Sequence, residues 1–277
     1  MRKTHVAAFL CVAIATLPLT GCNKVKARAE MKKGNRYYKD EAYKDALAQF
    51  QKSLFLDPAL APAWRSVGLT AMALYRPGND SPENIKYAET ALEAFTNYLK
   101  ANPHDSKTED YLVTTWINLG RFDDAIKYLK QQRSEHPENA KLSSAVVTVM
   151  IKAGRYQDAL DFANTYTRND APMYYLVATN AWSKSYNDPT TAYDERVGVV
   201  EIGLKAVQRA CEIKADYMEA MVYYNLLYRE KAKLDLDPKK KDYWNSLADE
   251  WRSKAMALME KRKASSAAQP PATKTAS

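Results

Sequence analysis

Few residues of this 277-residue chain have the types and spacing that chemistry requires. The thiol with the most distinctive surroundings is Cys22, which follows an apolar stretch from Val6 to Leu19. Beyond it the chain has two histidines, His104 and His136, each beside a proline. No histidine, cysteine or carboxylate cluster has metal-ligand spacing, no glycine-rich loop could hold a phosphate, and no Ser-His-acid set is suggested. We therefore expect neither an enzyme nor a metal, cofactor or small-molecule substrate.

The surroundings of Cys22 indicate export. Arg2 and Lys3 give a positive start, and the apolar stretch is too short to span a bilayer as a stable helix, as in a secretory signal peptide. The segment Leu19 to Cys22 resembles a bacterial lipobox. That resemblance implies a diacylglycerol on the Cys22 sulfur, a signal peptide at residues 1–21 and a short tether at 22–26. The alternative is an ordinary signal peptide that ends by chance in a cysteine.

The same resemblance implies a location. Asn23, rather than Asp, follows Cys22, which favours an outer membrane and a protein that faces the periplasm. In a bacterium with one membrane the chain would face outside. Cys11 leaves with the signal peptide, so Cys211 is the one other thiol of the mature chain and no intrachain disulfide can form.

Positive charge is concentrated next to Cys22. The chain has a formal charge of +8, and residues 40–277 contain equal numbers of basic and acidic groups. A basic surface for nucleic acid is therefore not expected. Anionic lipid headgroups attract each Lys or Arg near the membrane by about 1 kcal/mol, although a merely solvated helix face is the alternative. The membrane-proximal basic residues are Lys24, Lys26, Arg28, Lys32, Lys33, Arg36 and Lys39.

One pattern recurs between residues 46 and 137. A small residue is followed four positions later by a large apolar one, and eight positions after that by a proline. The last two prolines lie 34 residues apart, a period that indicates stacked helical hairpins. The three sets are Ala46, Phe50 and Pro58; Ala91, Phe95 and Pro103; and Ala125, Leu129 and Pro137.

This pattern resembles the tetratricopeptide repeat (TPR), a pair of helices A and B. The resemblance implies an all-α fold, an α-solenoid of about five to six TPR helix-turn-helix repeats, the last of them degenerate. The array would occupy residues 27–264, followed by a disordered, Ala-, Pro-, Thr- and Ser-rich tail at 265–277. The predicted repeats lie near residues 27–60, 61–105, 106–139, 140–171, 172–217 and 218–264.

Glycines and caps refine this expectation. Small residues such as Gly68 allow two helices to approach closely, and Gly120 and Gly154 suit helix C-termini. Two insertions between helices A and B contain Ser81-Pro82 and Asp188-Pro189, which predict an N-cap and an earlier start of helix B. Asp237-Pro238 has the same form, and we expect the last helix to bury Trp244, Leu247 and Trp251.

In TPR proteins the concave groove is lined by a few positions of each helix A. Apolar and basic residues alternate along it here, which suits an extended acidic peptide. The resemblance therefore implies a membrane-tethered scaffold that binds another envelope protein, in an envelope assembly complex. The alternatives are a permanent structural subunit of an oligomer and, remotely, an enzyme in the Tyr-rich last repeats. The candidate groove residues are Met31, Asn35, Tyr38, Arg65, Leu69, Met72, Lys107, Thr114, Ile117, Lys141, Thr148 and Ile151.

Overall fold

A computed structural model of the chain describes residues 18–267, with side chains for 22–265. Twelve helices make up this part of the chain, which confirms the predicted all-α fold of helical hairpins. The predicted signal peptide lies outside the described residues, apart from its last four. The helices are α1 (Pro18–Lys39), α2 (Tyr43–Leu56), α3 (Ala61–Leu74), α4 (Pro82–Ala101), α5 (Ser106–Asn118), α6 (Phe122–Glu135), α7 (Ala140–Lys152), α8 (Tyr156–Tyr166), α9 (Ala171–Asn187), α10 (Tyr193–Ile213), α11 (Met218–Leu234) and α12 (Pro238–Ala267).

The chain divides after Arg121 into two compact units. The N-terminal unit contains α1 to α5, and the C-terminal unit contains α6 to α12. In the N-terminal unit each helix A packs on its helix B, α1 on α2 and α3 on α4. In the C-terminal unit α7 packs on α8, α9 on α10, and α11 on α12.

Close helix packing in the N-terminal unit depends on glycine. A Cβ atom on Gly68 would lie 2.4 Å from the Phe95 ring, and one on Gly34 would lie 2.6 Å from the Phe50 ring. Both rings are buried, with Phe95 at 0% exposure, so neither has free space into which to move. The predicted role of a small residue opposite a large one is confirmed at both hairpins.

Replacement of Gly68 by Ala should therefore destabilise the protein. Overpacking of a tight core costs about 1–3 kcal/mol, more than the helix propensity of about 1 kcal/mol that Ala gains over Gly. We expect the free energy of unfolding, measured by urea titration, to fall by about 1–2 kcal/mol. Gly198, in α10, is the matched control, because a Cβ atom added there would meet nothing within 4 Å. Gly198→Ala should stabilise by about 0.5–1 kcal/mol, and equal effects of the two changes would contradict the packing argument.

The predicted glycine turns are confirmed. Gly120 and Gly154 have φ values of 68° and 73°, in the left-handed region that glycine adopts without strain. After α5 the Arg121 amide donates to the Trp116 carbonyl at 2.8 Å, and after α7 the Arg155 amide donates to the Met150 carbonyl at 2.9 Å. These bonds satisfy carbonyls that the helix ends leave without partners.

Two of the three predicted N-caps are present. Ser81 accepts a hydrogen bond from the Asn84 amide ahead of α4, and Asp237 accepts one from the Lys239 amide ahead of α12. The prediction for Asp188 was wrong. Its carboxylate instead accepts hydrogen bonds from Lys184, the last basic residue of α9, and from the Thr190 amide, so α10 begins only at Tyr193.

The last helix differs from its prediction in two ways. Trp244, Leu247 and Trp251 are half-buried, and the fully buried positions of α12 are Ala248 and Ala255. Small residues allow α12 to lie close to α11, while the indole rings lie flat against Tyr224 and Tyr228 at the edge of the contact. The helix also continues to Ala267, three residues into the predicted tail, whose remainder lies outside the described residues.

The beginning of the array also differs from the prediction. Residues 22–26, predicted as a tether, are helical and belong to α1. Within residues 18–267 none of the helices has the length and apolar character needed to cross a bilayer.

Candidate functional site

Nine of the twelve predicted groove residues lie on the A helices of the N-terminal unit. The structure places α3 and α5 side by side: Arg65 Nε donates to Thr108 Oγ1 at 3.2 Å near one end, and the Tyr75 hydroxyl donates to the Asn118 carbonyl at 3.0 Å near the other. We call the groove residues of these two helices the α3–α5 face. Its members are Arg65, Leu69, Met72, Lys107, Thr114 and Ile117.

The remaining members of this set are on α1. Met31 is half-buried, and Asn35 and Tyr38 are exposed. Burial, together with the nearby Tyr43 and Tyr111, raises the pKa of Tyr38, whose hydroxyl can donate a hydrogen bond.

Leu69 and Ile117 are the apolar centre of the α3–α5 face. Both are half-buried, whereas Val67 on α3 and Leu112 on α5 are each 2% exposed. The core of each helix therefore comes from other positions, and Leu69 and Ile117 keep apolar surface in contact with solvent. Met72 is also half-buried, which extends the apolar strip along α3.

Arg65 has a structural role that the sequence did not reveal. Its guanidinium lies 3.9 Å from the Asp105 carboxylate, which also accepts hydrogen bonds from the Tyr98 hydroxyl and the Thr108 amide. Burial opposes ionisation of Asp105, but these hydrogen bonds and the charge of Arg65 leave its pKa lowered. Asp105 caps α5, so Arg65 helps to fix that helix.

The other three predicted groove residues are on α7, in the C-terminal unit. Lys141 is exposed and Thr148 is half-buried, but Ile151 is buried at 8% exposure. This corrects the prediction that Ile151 is an exposed groove residue. Within its unit α7 contacts α6, α8 and α9, and helices on several sides cover positions that repeat spacing alone assigns to a groove.

A row of aromatic rings in the C-terminal unit was not predicted as a surface. The rings of Tyr175 and Tyr223 lie 5.4 Å apart, Tyr223 and Trp182 5.5 Å, and Trp182 and Tyr186 4.8 Å. Tyr217 continues the row at 5.2 Å from Tyr175. Tyr186 is 55% exposed and the others are half-buried. Tyr175 and Trp182 fall at core positions of the repeat pattern, so only their contact with α11 reveals the row.

The C-terminal unit also has a cavity of about 270 Å³ between α10 and α11. Tyr193, Val197, Val200 and Leu234 line it, together with Lys231 and Glu201, which pair with each other at 2.7 Å. Among residues 22–265 there is no group of three or more His, Cys, Asp or Glu side chains that could hold a metal ion.

Comparison with known proteins agrees with this architecture. Residues 117–178 match the family model described as tetratricopeptide repeat. This segment has TPR sequence. It includes the end of α5, the hairpins α6–α7 and α7–α8, and the first half of α9. No curated protein sequence matches the chain.

Solved structures similar to the chain include a crystal structure of MamA protein, at 15% identity and a TM-score of 0.32 over 89% of this chain and 98% of that one. The MamA RS-1 ArsTM double mutant is similar at 15% identity and a TM-score of 0.33, over 86% and 97%. The IFIT1 monomeric mutant with Gppp-AAAA is similar at 14% identity and a TM-score of 0.35, over 83% of this chain and 50% of that one.

Proposed function

We propose that this protein is a membrane-anchored TPR scaffold that binds another protein or peptide of the cell envelope through the α3–α5 face. The TPR fold is typical of proteins that bind other proteins. The observation that supports this particular face is that Leu69 and Ile117 are only partly buried and lie outside the buried core of the N-terminal unit. Apolar surface between a guanidinium and an ammonium group suits an extended peptide with apolar and acidic side chains.

The proposed anchor is a lipid on Cys22, with the protein on the periplasmic side of the outer membrane. Cys22 is exposed on α1, so its sulfur is accessible to a modifying enzyme. At this location the partner would belong to an envelope assembly complex. Export also separates the protein from cytoplasmic nucleic acid.

Substitution of Leu69 and Ile117 by Asp tests the binding face. Each change places a charge where a peptide must be desolvated, which costs a few kcal/mol in binding. Because neither side chain belongs to the buried core, we expect the melting temperature to change by only a few degrees while the partner is lost. The measurement is the yield of partner adduct after reversible crosslinking in intact cells, beside the circular dichroism melting curve of the purified variant.

Phe55 and Ile85 provide the matched control. They are exposed apolar residues on the B helices α2 and α4 of the same unit, at 86% and 40% exposure. The double change Phe55→Asp and Ile85→Asp has the same chemistry, and it should leave adduct formation intact. Loss of the partner in this control but not in the Leu69 and Ile117 variant would move the site to the B helices.

A permanent structural subunit is the second candidate. The aromatic row favours it, because a stable assembly is one way to cover half-exposed Tyr and Trp side chains. The solution mass of the purified protein separates the two functions. A scaffold that binds its partner reversibly should be a stable monomer, and a permanent subunit should not.

A further inference from the structure

Helix α1 leaves no flexible linker between Cys22 and the folded array. The helix includes Cys22 and continues to Lys39, and its residues Ala27 and Gly34 are buried, with Gly34 against Phe50 of α2. A lipid on Cys22 would therefore hold the first hairpin next to the membrane surface rather than at the end of a tether. The inference below rests on this part of the proposed function.

Four basic residues form a line along the exposed part of α1. Lys24, Arg28, Lys32 and Arg36 recur every four residues, a spacing that places side chains on one side of a helix. We call them the basic stripe. All four are exposed, and Val25, beside Lys24, is 69% exposed. At 1.5 Å per residue the stripe is about 18 Å long and begins two residues after Cys22.

The protein itself does not neutralise this stripe. Glu30 is the one carboxylate in α1, and it accepts hydrogen bonds from Lys33 at 3.1 Å and lies 3.2 Å from Lys52. The hydrogen bonds of Lys33 and Lys52 lower the pKa of Glu30, and both of these cations lie outside the basic stripe. Among the ion pairs of the described residues, none involves the basic stripe.

We propose that the basic stripe rests on an anionic lipid surface and fixes the orientation of the array at the membrane. Surface charges interact over about 8 Å at physiological salt, so all four charges reach the lipid headgroups only when α1 lies along the membrane surface. An acidic protein partner is the competing occupant. The stripe begins two residues after the proposed anchor, and the exposed Val25 lies beside its first residue. Both features favour a lipid surface over such a partner.

Vesicle binding by the full chain tests this proposal. The stripe variant replaces Lys24, Arg28, Lys32 and Arg36 by Gln, a good helix former, and vesicles of phosphatidylcholine are compared with vesicles that contain phosphatidylglycerol as well. We expect the partition ratio on anionic vesicles at 0.15 M salt to fall more than tenfold, since each lost charge contributes several-fold. Binding to neutral vesicles should be unchanged, because the apolar segment before Cys22 does not depend on lipid charge.

The matched control removes the same charge from α12. Lys239, Lys240, Lys261 and Lys263 are exposed, and their replacement by Gln should change the anionic partition ratio less than twofold. Equal losses in the two variants would show a general charge effect and overturn the proposal. Equal binding of the wild-type protein to vesicles with and without phosphatidylglycerol would also overturn it. So would photo-crosslinks, in intact cells, from position 32 to a protein rather than to lipid.

The anchor and the stripe have separate readouts. The mass of wild-type protein isolated from membranes reports a lipid on Cys22, and Cys22→Ser should leave unprocessed or soluble protein. A missing lipid adduct would overturn the proposal of an anchor on Cys22. The vesicle experiment would still test whether the stripe binds anionic lipid. If the stripe variant loses binding to anionic vesicles but still forms partner adducts, the stripe and the α3–α5 face act independently.

Discussion

A chain that ends at Leu236, without α12, should lose several kcal/mol of stability. Helix α12 packs along α11 and covers Tyr224, which is 6% exposed. Trp251 stacks on Tyr224 at 4.3 Å between ring centres, and Arg229 donates to Asp249 and Asn245 of α12. Loss of one buried Trp costs about 3–5 kcal/mol, and truncation removes two half-buried indoles together with these hydrogen bonds. Urea unfolding of the C-terminal unit, followed by circular dichroism, measures the effect.

Smaller changes on α12 separate packing from chain length. Trp251→Ala should cost about 2–3 kcal/mol, because the stacked ring is lost. Met256→Ala, five residues further along the same helix and 46% exposed, should cost less than about 1 kcal/mol. Removal of residues 268–277 should leave unfolding unchanged. If the chain without α12 melts like the complete one, the array is closed by another element.

Glu230→Ala should produce the largest loss of any single polar substitution. Glu230 on α11 is 1% exposed, and its carboxylate accepts hydrogen bonds from Lys233 at 2.5 Å and from Ser185 of α9 at 3.5 Å. Arg196 of α10 lies 3.9 Å away, so one carboxylate holds groups from three helices. Removal of one member of a buried charge pair costs about 3–5 kcal/mol, because the other charge stays without a partner. Since Arg196 and Lys233 retain some access to water, we expect about 3 kcal/mol in urea unfolding.

The pair of Glu201 and Lys231 is the control for this prediction. It joins α10 and α11 at 2.7 Å, but its carboxylate is 43% exposed, whereas the side chain of Glu230 is 2% exposed. Glu201→Ala should cost less than about 1 kcal/mol, as is usual for exposed ion pairs. Glu230→Gln keeps the volume and most hydrogen bonds, so its cost should be intermediate. Equal costs for Glu201→Ala and Glu230→Ala would show that burial of Glu230 contributes nothing.

Much of the fold is predictable from the sequence, because it depends on local chemistry. Gly68 opposite Phe95 and the left-handed Gly120 and Gly154 follow from steric requirements that few other residues satisfy. Ser81 is identified as an N-cap because its hydroxyl and Pro82 favour the same conformation. Asp188 has the same sequence signature, yet it ends α9 and pairs with Lys184, and α10 begins only at Tyr193.

Burial at the candidate site is less predictable, because it depends on distant contacts. Ile117 and Ile151 occupy corresponding repeat positions, yet Ile117 is half-buried and Ile151 is buried in a helix that several neighbours cover. Repeat spacing also assigned Trp182 to the core, although it belongs to a row that continues to the exposed Tyr186. The contacts of Arg65 with Asp105 and Thr108 likewise depend on how α3 and α5 are placed, which the sequence does not reveal. Local patterns identify helices and caps, and only the packed structure identifies free surface.

Site-specific photo-crosslinking in intact cells tests the central claim most directly. A photoreactive residue is placed at Leu69 or Ile117 on the α3–α5 face, and at the exposed Phe55 or Ile85 on the B helices of the same unit. The account predicts a discrete adduct with one envelope protein from the two face positions and none from the two control positions. Adducts from Phe55 and Ile85 alone, or no protein adduct from any of the four positions, would contradict it.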